Sequence, residues 1–156
     1  MFHVRTAQID DVDQWLRISR EVEPLFGPMP DIRQHVERGI ARGTALVATE
    51  ADALLGACLL SRDDAPHAIH WLAVARVHRR RGVGSLLIDA VRARWSAGDI
   101  SVVTFATDTP EGEAARRLCE SHGFRSAGPA PAAEDGSARC RYVLGADPLR
   151  GNAPTR

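Results

Sequence analysis

Leu72-Ala73-Val74-Ala75-Arg76-Val77-His78-Arg79-Arg80-Arg81-Gly82-Val83-Gly84-Ser85-Leu86-Leu87 is the stretch on which the reading of this chain turns. It begins as an apolar strand, passes three consecutive arginines and enters a helix. The apolar positions Val83, Leu87, Ala90, Val91 and Trp95 then recur at helical spacing. Between strand and helix lies Arg79-x-x-Gly82-x-Gly84. Glycines leave backbone N–H groups uncovered and permit tight turns. The first amides of a helix have no intrahelical acceptor, and the positive end of its dipole faces the same loop. Such an arrangement holds a pyrophosphate, and Arg79, Arg80 and Arg81 supply cationic partners for it. The stretch is not a Walker loop, because the terminal Gly-Lys-Ser/Thr is absent, and it lacks the G-x-G-x-x-G of a dinucleotide fold. Spacing alone leaves open a glycine-capped basic loop that binds nothing.

Working outward, Phe2 to Thr6 reads as a short strand, and Ile9-Asp10-Asp11 starts a helix with acidic residues in its first turn. Val12, Leu16 and Ser19 or Val22 give that helix one face. Pro24, Gly27, Pro28 and Pro30 end it in a rigid loop. A second helix carries Ile32, Val36 and Ile40 and closes at Gly43. Thr44–Thr49 and Leu54–Leu60 form a hairpin, and His67–Ala75 is a third strand. After the glycine-rich helix, Ile100–Ala106 is a buried strand and Glu111–His122 a helix ended by Gly123. Phe124 opens a short strand, Ala127–Gly136 is a loop, and Ala138–Leu144 is the last strand. The order β-α-α-β-β-β-α-β-α-β-β predicts a mixed sheet of the α/β or α+β class in one domain, residues 1–145. Residues 146–156 read as a frayed tail.

The 156 residues suit one core. The 20 basic and 20 acidic residues cancel, which argues against nucleic acid or an anionic membrane as partner. All the basic residues are Arg, which fits the codon bias of a GC-rich genome. No apolar run reaches the ~20 residues that span a bilayer, and Met1–Arg5 lacks the pattern of a signal peptide. A cytoplasmic location is the expectation. Cys58, Cys119 and Cys140 form neither a disulfide framework nor a zinc motif, so no metal is expected.

The central stretch closely resembles the acetyl-CoA motif of the GNAT superfamily of N-acetyltransferases. In that motif a strand ending in Val is followed by a turn, and then Q/R-x-x-G-x-G/A opens a helix. Ala115-Arg116-Arg117-Leu118-Cys119-Glu120-Ser121-His122-Gly123-Phe124 resembles the family's A-x-x-L-Y-x-x-x-G-F segment. Val4-Arg5-Thr6-Ala7 with Asp10-Asp11 is similar to its first strand and acid-capped helix. The resemblance covers about residues 2–144. It implies that the amides of Arg80, Arg81, Gly82, Val83, Gly84 and Ser85 hold the pyrophosphate of acetyl-CoA. It also implies that Leu72, Ala73 and Val74 pair with the pantetheine arm like an added strand. The thioester would sit where two parallel strands splay apart, its carbonyl polarised by the Val74 N–H. Two positions depart from the family. The Asn that contacts pantetheine is Gly112, three residues before Ala115, and the Tyr that protonates the leaving thiolate is Cys119.

Direct transfer needs a neutral amine and hence a base, often acting through water. His70 precedes Val74 by four residues on one strand, which places both side chains on one face. His70-Trp71-Leu72-Ala73-Val74 resembles the H-A-L-A-V run of arylalkylamine acetyltransferases, where histidines relay protons. The alternative is a core histidine beside Trp71. His67, of opposite parity at a turn, is expected in solvent. Asp108, beside Thr107, is a turn or cap residue, or else a carboxylate base. His122 suits a helix C-terminus. Tyr142 is a packed strand residue or a substitute acid, and Cys119 is a thiol acid or a small buried hydrophobe. Trp15 and Trp71 belong to the core or line an apolar acceptor pocket. The Gly27–Pro30 loop borders the acceptor by the same resemblance.

The expected activity is acetyl transfer to a primary amine, on a small molecule or a peptide, in a ternary complex. A non-catalytic acyl-CoA-binding or sensing module is the alternative. A homodimer stays open.

Overall fold

The computed structural model describes residues 1–27, 29–105, 110–132, 136 and 138–145. Strand β1 (His3–Thr6) leads through a 3-10 turn (Ile9–Asp11) into helix α1 (Val12–Phe26) and helix α2 (Ile32–Arg42). Strands β2 (Ala45–Glu50), β3 (Ala53–Leu60) and β4 (His67–Val74) follow. A 3-10 turn (Arg76–His78) then precedes α3 (Val83–Arg94), β5 (Ile100–Phe105), α4 (Pro110–Ser121), β6 (Arg125–Ala130) and β7 (Arg139–Leu144). The succession of strands and α-helices is the one expected from the sequence.

The strands form one sheet in the order β1-β2-β3-β4-β5-β7-β6. Neighbours run antiparallel except β4 and β5, which run parallel. Apolar residues cover both faces. Val83, Leu87, Ile88 and Val91 of α3 pack with Cys119 of α4 on Leu55, Cys58, Ile69, Ile100, Tyr142 and Leu144. On the other face Val12, Trp15, Ile18 and Val22 of α1 join Ile32 and Val36 of α2 on Val47, Ala57, Trp71 and Ala73. Each large side chain removed from water in this way contributes about 1.5–3 kcal/mol.

Local chemistry fixes where α1 starts. Asp11 is buried, binds Arg5 at 2.7 and 2.9 Å and accepts the Gln8 N–H at 2.7 Å. Burial pushes its carboxyl pKa up, but the Arg5 and Gln8 hydrogen bonds outweigh that and hold it below its ordinary value.

Three expectations are corrected. Pro24 does not end α1. It forfeits one amide bond near the helix end, and the Gly27 N–H closes the last turn on the Glu23 carbonyl at 2.8 Å. Part of the expected Ala127–Gly136 loop is strand β6, where Pro129 is tolerated on the sheet's edge. His67 is buried and not in solvent, because Trp95 at the end of α3 stacks on it at 4.5 Å and 16°. The Trp95 indole N–H in turn donates to Asp63, which binds Arg94. Ala106–Thr109, including Thr107 and Asp108, and the 146–156 tail lie outside the described residues.

Candidate active site

The chemistry-bearing stretch occupies the place where the sheet comes apart. β4 pairs with β5 only through His67–Ile69 against Ile100–Val102, yet β4 continues to Val74 and β5 to Phe105. Leu72–Val74 therefore keep β3 as their pairing partner and face a gap on the other side. Backbone groups alternate sides along an antiparallel pair. The Ala75 N–H donates to the Leu55 carbonyl at 2.8 Å, so Ala73 also bonds toward β3. The N–H and C=O of Leu72 and Val74 point into the gap. The strand thus offers the gap two sets of backbone groups, from Leu72 and Val74, whereas Ala73 contributes its buried side chain to the α1/α2 core.

At the mouth of this gap stands the N-terminus of α3. The first helix amide with a backbone acceptor is that of Leu86, which donates to the Gly82 carbonyl at 3.0 Å. The amides of Val83, Gly84 and Ser85 precede it and are left for a ligand. Arg80 (φ 63°) and Gly82 (φ 83°) are left-handed, which folds the loop tightly ahead of the helix. The three arginines have different surroundings. Arg79 turns back and donates through Nε to the gap-side carbonyl of Val74 at 3.4 Å. Arg81 binds Glu50 at 3.2 Å and His78 at 2.9 Å and lies over the Phe2 ring at 4.8 Å, so it ties the loop to β1 and β2. Among the described residues the exposed Arg80 guanidinium makes no hydrogen bond or ion pair, which leaves it available to an anion.

Two glycines set the position of α3. A Cβ on Gly84 would fall 2.9 Å from Leu118 Cδ2 of α4, and one on Gly56 of β3 would fall 3.0 Å from both the Ala73 carbonyl and Val83 Cγ1. Gly84 thus serves helix–helix contact as well as the loop. Gly56 lets the helix start settle on the sheet beside the gap. Sequence reading missed Gly56; its signal is an isolated glycine inside an apolar strand, which marks close approach.

His70 lies at a β-bulge: Leu59 pairs with Trp71 and Leu60 with Ile69, leaving His70 as the extra residue. The bulge resets the strand's alternation. Ile69 faces the α3 core, Trp71 and Ala73 face α1 and α2, and Val74 packs on the α3 side. The expectation that His70 and Val74 share a face by simple parity is therefore corrected. His70 is exposed, not a core residue. Partial desolvation of the ring lowers its pKa, and the nearby charge of His35 on α2 lowers it further.

On α4, Gly112, Ala115 and Cys119 follow one another at i, i+3 and i+7 along one face. Cys119 is buried with Phe124, Tyr142 and Leu144. Burial first, then the charges of Glu120 and Cys140, pushes its thiol up to about 11. Tyr142 is buried and donates to Glu120 at 3.1 Å. Trp15 and Trp71 stack at 5.6 Å inside the α1/α2 core, and Phe26 meets Trp71 edge-on at 6.0 Å. His122 sits at the end of α4 with Nδ1 3.0 Å from the Leu118 carbonyl. A separate cleft of about 340 Å³ between α1 and the following loop includes Ser19, Glu23, Met29 and Ile32. None of its lining residues belongs to β4, β5 or the arginine loop, so it is not the strand gap.

A known family resembles this chain in sequence, and known structures resemble it in fold. Residues 41–126 match the family model of the acetyltransferase (GNAT) domain. No curated protein is matched by the sequence. An acetyltransferase of the GNAT family from Bacillus cereus superposes with a TM-score of 0.75 at 19% identity, over 94% of this chain and 99% of that one. Ard1 from Thermoplasma volcanium gives a TM-score of 0.78 at 19% identity, over 94% and 98%. A chain of the NatC complex bound to Gag peptide and CoA gives 0.70 at 16% identity, over 94% and 99%.

Proposed function

The chain belongs to the GNAT acetyltransferase family, and from that premise we propose that it moves an acetyl group from acetyl-CoA directly to a primary amine in a ternary complex. The observation that carries this reading is the strand gap, with the Leu72 and Val74 backbone groups turned into it and the uncapped start of α3 at its mouth. Amides from Arg80 to Ser85, with the Arg80 guanidinium, hold the pyrophosphate. Leu72 and Val74 pair with the pantetheine arm as a strand would. Ala115 and Gly112 border that arm from α4. The Val74 N–H donates to the oxygen of the carbonyl under attack, where negative charge develops. His70, on its bulge at the gap, accepts the amine proton through water.

The Cys119 thiol is a weak candidate for the acid that protonates the leaving thiolate. At about 11 it holds its proton more tightly than an ordinary thiol near 8.5, so proton transfer to a CoA thiolate runs uphill. The same observation is what a non-catalytic acyl-CoA-binding module would show, and that is the second reading.

Turnover decides between them. Purified protein given acetyl-CoA and a panel of small amines and peptide N-termini should release free thiol in step with acetylated amine. Saturable CoA binding without release above the no-amine rate would favour the binding module. The base assignment adds a pH test. A base must be neutral to act, and a lowered His70 pKa keeps it neutral further into acid. The acid limb of kcat/KM should therefore fall below the ~6.5 of an ordinary histidine. His70→Gln should lower kcat on the order of 10²-fold and abolish that limb, with acetyl-CoA affinity unchanged. An unchanged profile in His70→Gln removes His70 from the mechanism.

A further inference from the structure

Among the described side chains, the core under α1 and α2 contains no residue of β5, β6 or β7. On β7, Tyr142 and Leu144 belong to the α3-side core, so Arg139, Arg141 and Val143 turn to the opposite face. On β5, Ile100 belongs to the α3-side core, so Ser101 and Val103 turn the same way as those arginines, and Val103 is 47% exposed. Val103 pairs directly with Arg141, and Phe105 with Arg139. These pairs lie just beyond the point where β4 leaves β5, so the two arginines flank the gap with one strand between.

The charge on this face is one-sided. β5, β6 and β7 carry Arg125, Arg139 and Arg141 and no Asp or Glu, although the whole chain balances 20 basic against 20 acidic residues. Arg139 reaches across to the carbonyl of Phe26 at the end of α1, at 3.4 Å. Among the described residues the exposed Arg141 guanidinium makes no hydrogen bond or ion pair. An exposed Arg141 guanidinium with no partner among the described residues, beside a reaction gap, suits an anion.

Direction of approach selects which anion. α3 and its uncapped start pack on the other face of the sheet. A donor whose pyrophosphate sits there fills the gap from that side, and the attacking amine must enter from the arginine side. We propose that the acceptor is an amine bearing a carboxylate, which Arg141, with Arg139 beside it, grips while the amine reaches the gap. Strand spacing puts the carboxylate roughly 5–10 Å from the reacting nitrogen. That is the scale of an amino acid or short acidic peptide, and it disfavours polyamines, whose second charge the arginines repel. The proposal rests on the acetyl-transfer reading, and its test is chosen to separate the two.

L-glutamate and L-glutamine amide, which keeps the α-amine but has no carboxylate, serve as matched acceptors, with spermidine as the cationic control. The ratio of kcat/KM for glutamate over glutamine amide is measured in the native protein and in Arg141→Glu; comparing ratios cancels the amines' intrinsic reactivity. Arg141 is exposed, so thermal unfolding should be unchanged in the variant. The native ratio should fall on the order of 10- to 100-fold in Arg141→Glu, with the KM for acetyl-CoA unmoved. An unchanged ratio overturns the proposal. If neither amine turns over, the same ratio is read from calorimetric titration onto CoA-loaded protein. A shifted affinity ratio then keeps the anion site while the transfer reading falls, and an unshifted one removes the anion site. A dimer that Arg141→Glu dissociates, with the ratio unmoved, would assign the face to a second copy of the chain and equally overturn it.

Discussion

Cys119 shows how a single position changes meaning between sequence and structure. In the chain it stands where relatives of this motif carry a phenol, which suggests an acid. In the fold it is a buried thiol among Phe124, Tyr142 and Leu144, pushed up to about 11 by burial and by Glu120. Removing its sulfur leaves a small cavity and costs about 1 kcal/mol. Cys119→Ala should therefore lower the thermal midpoint by about 2–4 °C and leave kcat within twofold. A tenfold loss of kcat at unchanged stability would restore it as the acid. The two histidines of β4 depart from what spacing suggests, which is His67 in solvent and His70 either a base sharing a face with Val74 or a core residue. His67 is the buried one, under Trp95, and His70 is exposed. Alternation alone cannot foresee this, because it is broken by a bulge that only the register with β3 reveals.

At the level of elements, the junction of β4, loop and α3 was readable because each part has a local cause. An apolar run, a glycine-arginine turn and a 3.6-residue apolar repeat each announce themselves within a few residues. The strand β6 was not, since Ala127–Ala130 with its Gly and Pro looks like a loop until β7 lies beside it. Nor was the purpose of each glycine. Gly82 caps α3 at φ 83° with nothing within 4 Å of a would-be Cβ, whereas Gly84 touches Leu118 of another helix. The two should respond differently. Gly84→Ala should destabilise by about 1–3 kcal/mol, and Leu118→Ala added to it should recover part of that loss. Gly82→Ala should cost no more than about 1–2 kcal/mol of backbone strain and be indifferent to Leu118. Thermal unfolding of the two glycine variants, of Leu118→Ala alone and of the two double variants checks this; equal coupling of both glycines to Leu118 would contradict the packing role of Gly84.

Across the whole molecule, one parallel pair in an otherwise antiparallel sheet organises the function. Because β4 and β5 stop pairing after Ile69 and Val102, the sheet opens where the α3 amides gather on one face and the arginines of β7 line the other. On the proposed reading, donor and acceptor thereby have separate entrances to one gap. Strand order is a long-range fact, so the glycine-arginine loop was legible in the sequence and the cationic face opposite it was not. The central claim is that CoA lies along Leu72–Val74 with its pyrophosphate on Arg80–Ser85. Titrating CoA into nitrogen-15-labelled protein and following backbone amide resonances tests this most directly. The account predicts saturable shifts that are largest for Arg80, Gly82, Gly84, Ser85, Leu72 and Val74, with β1 and β6 unmoved. Saturable shifts centred instead on the Ser19, Glu23 and Met29 cleft, or none in the arginine loop, would contradict it.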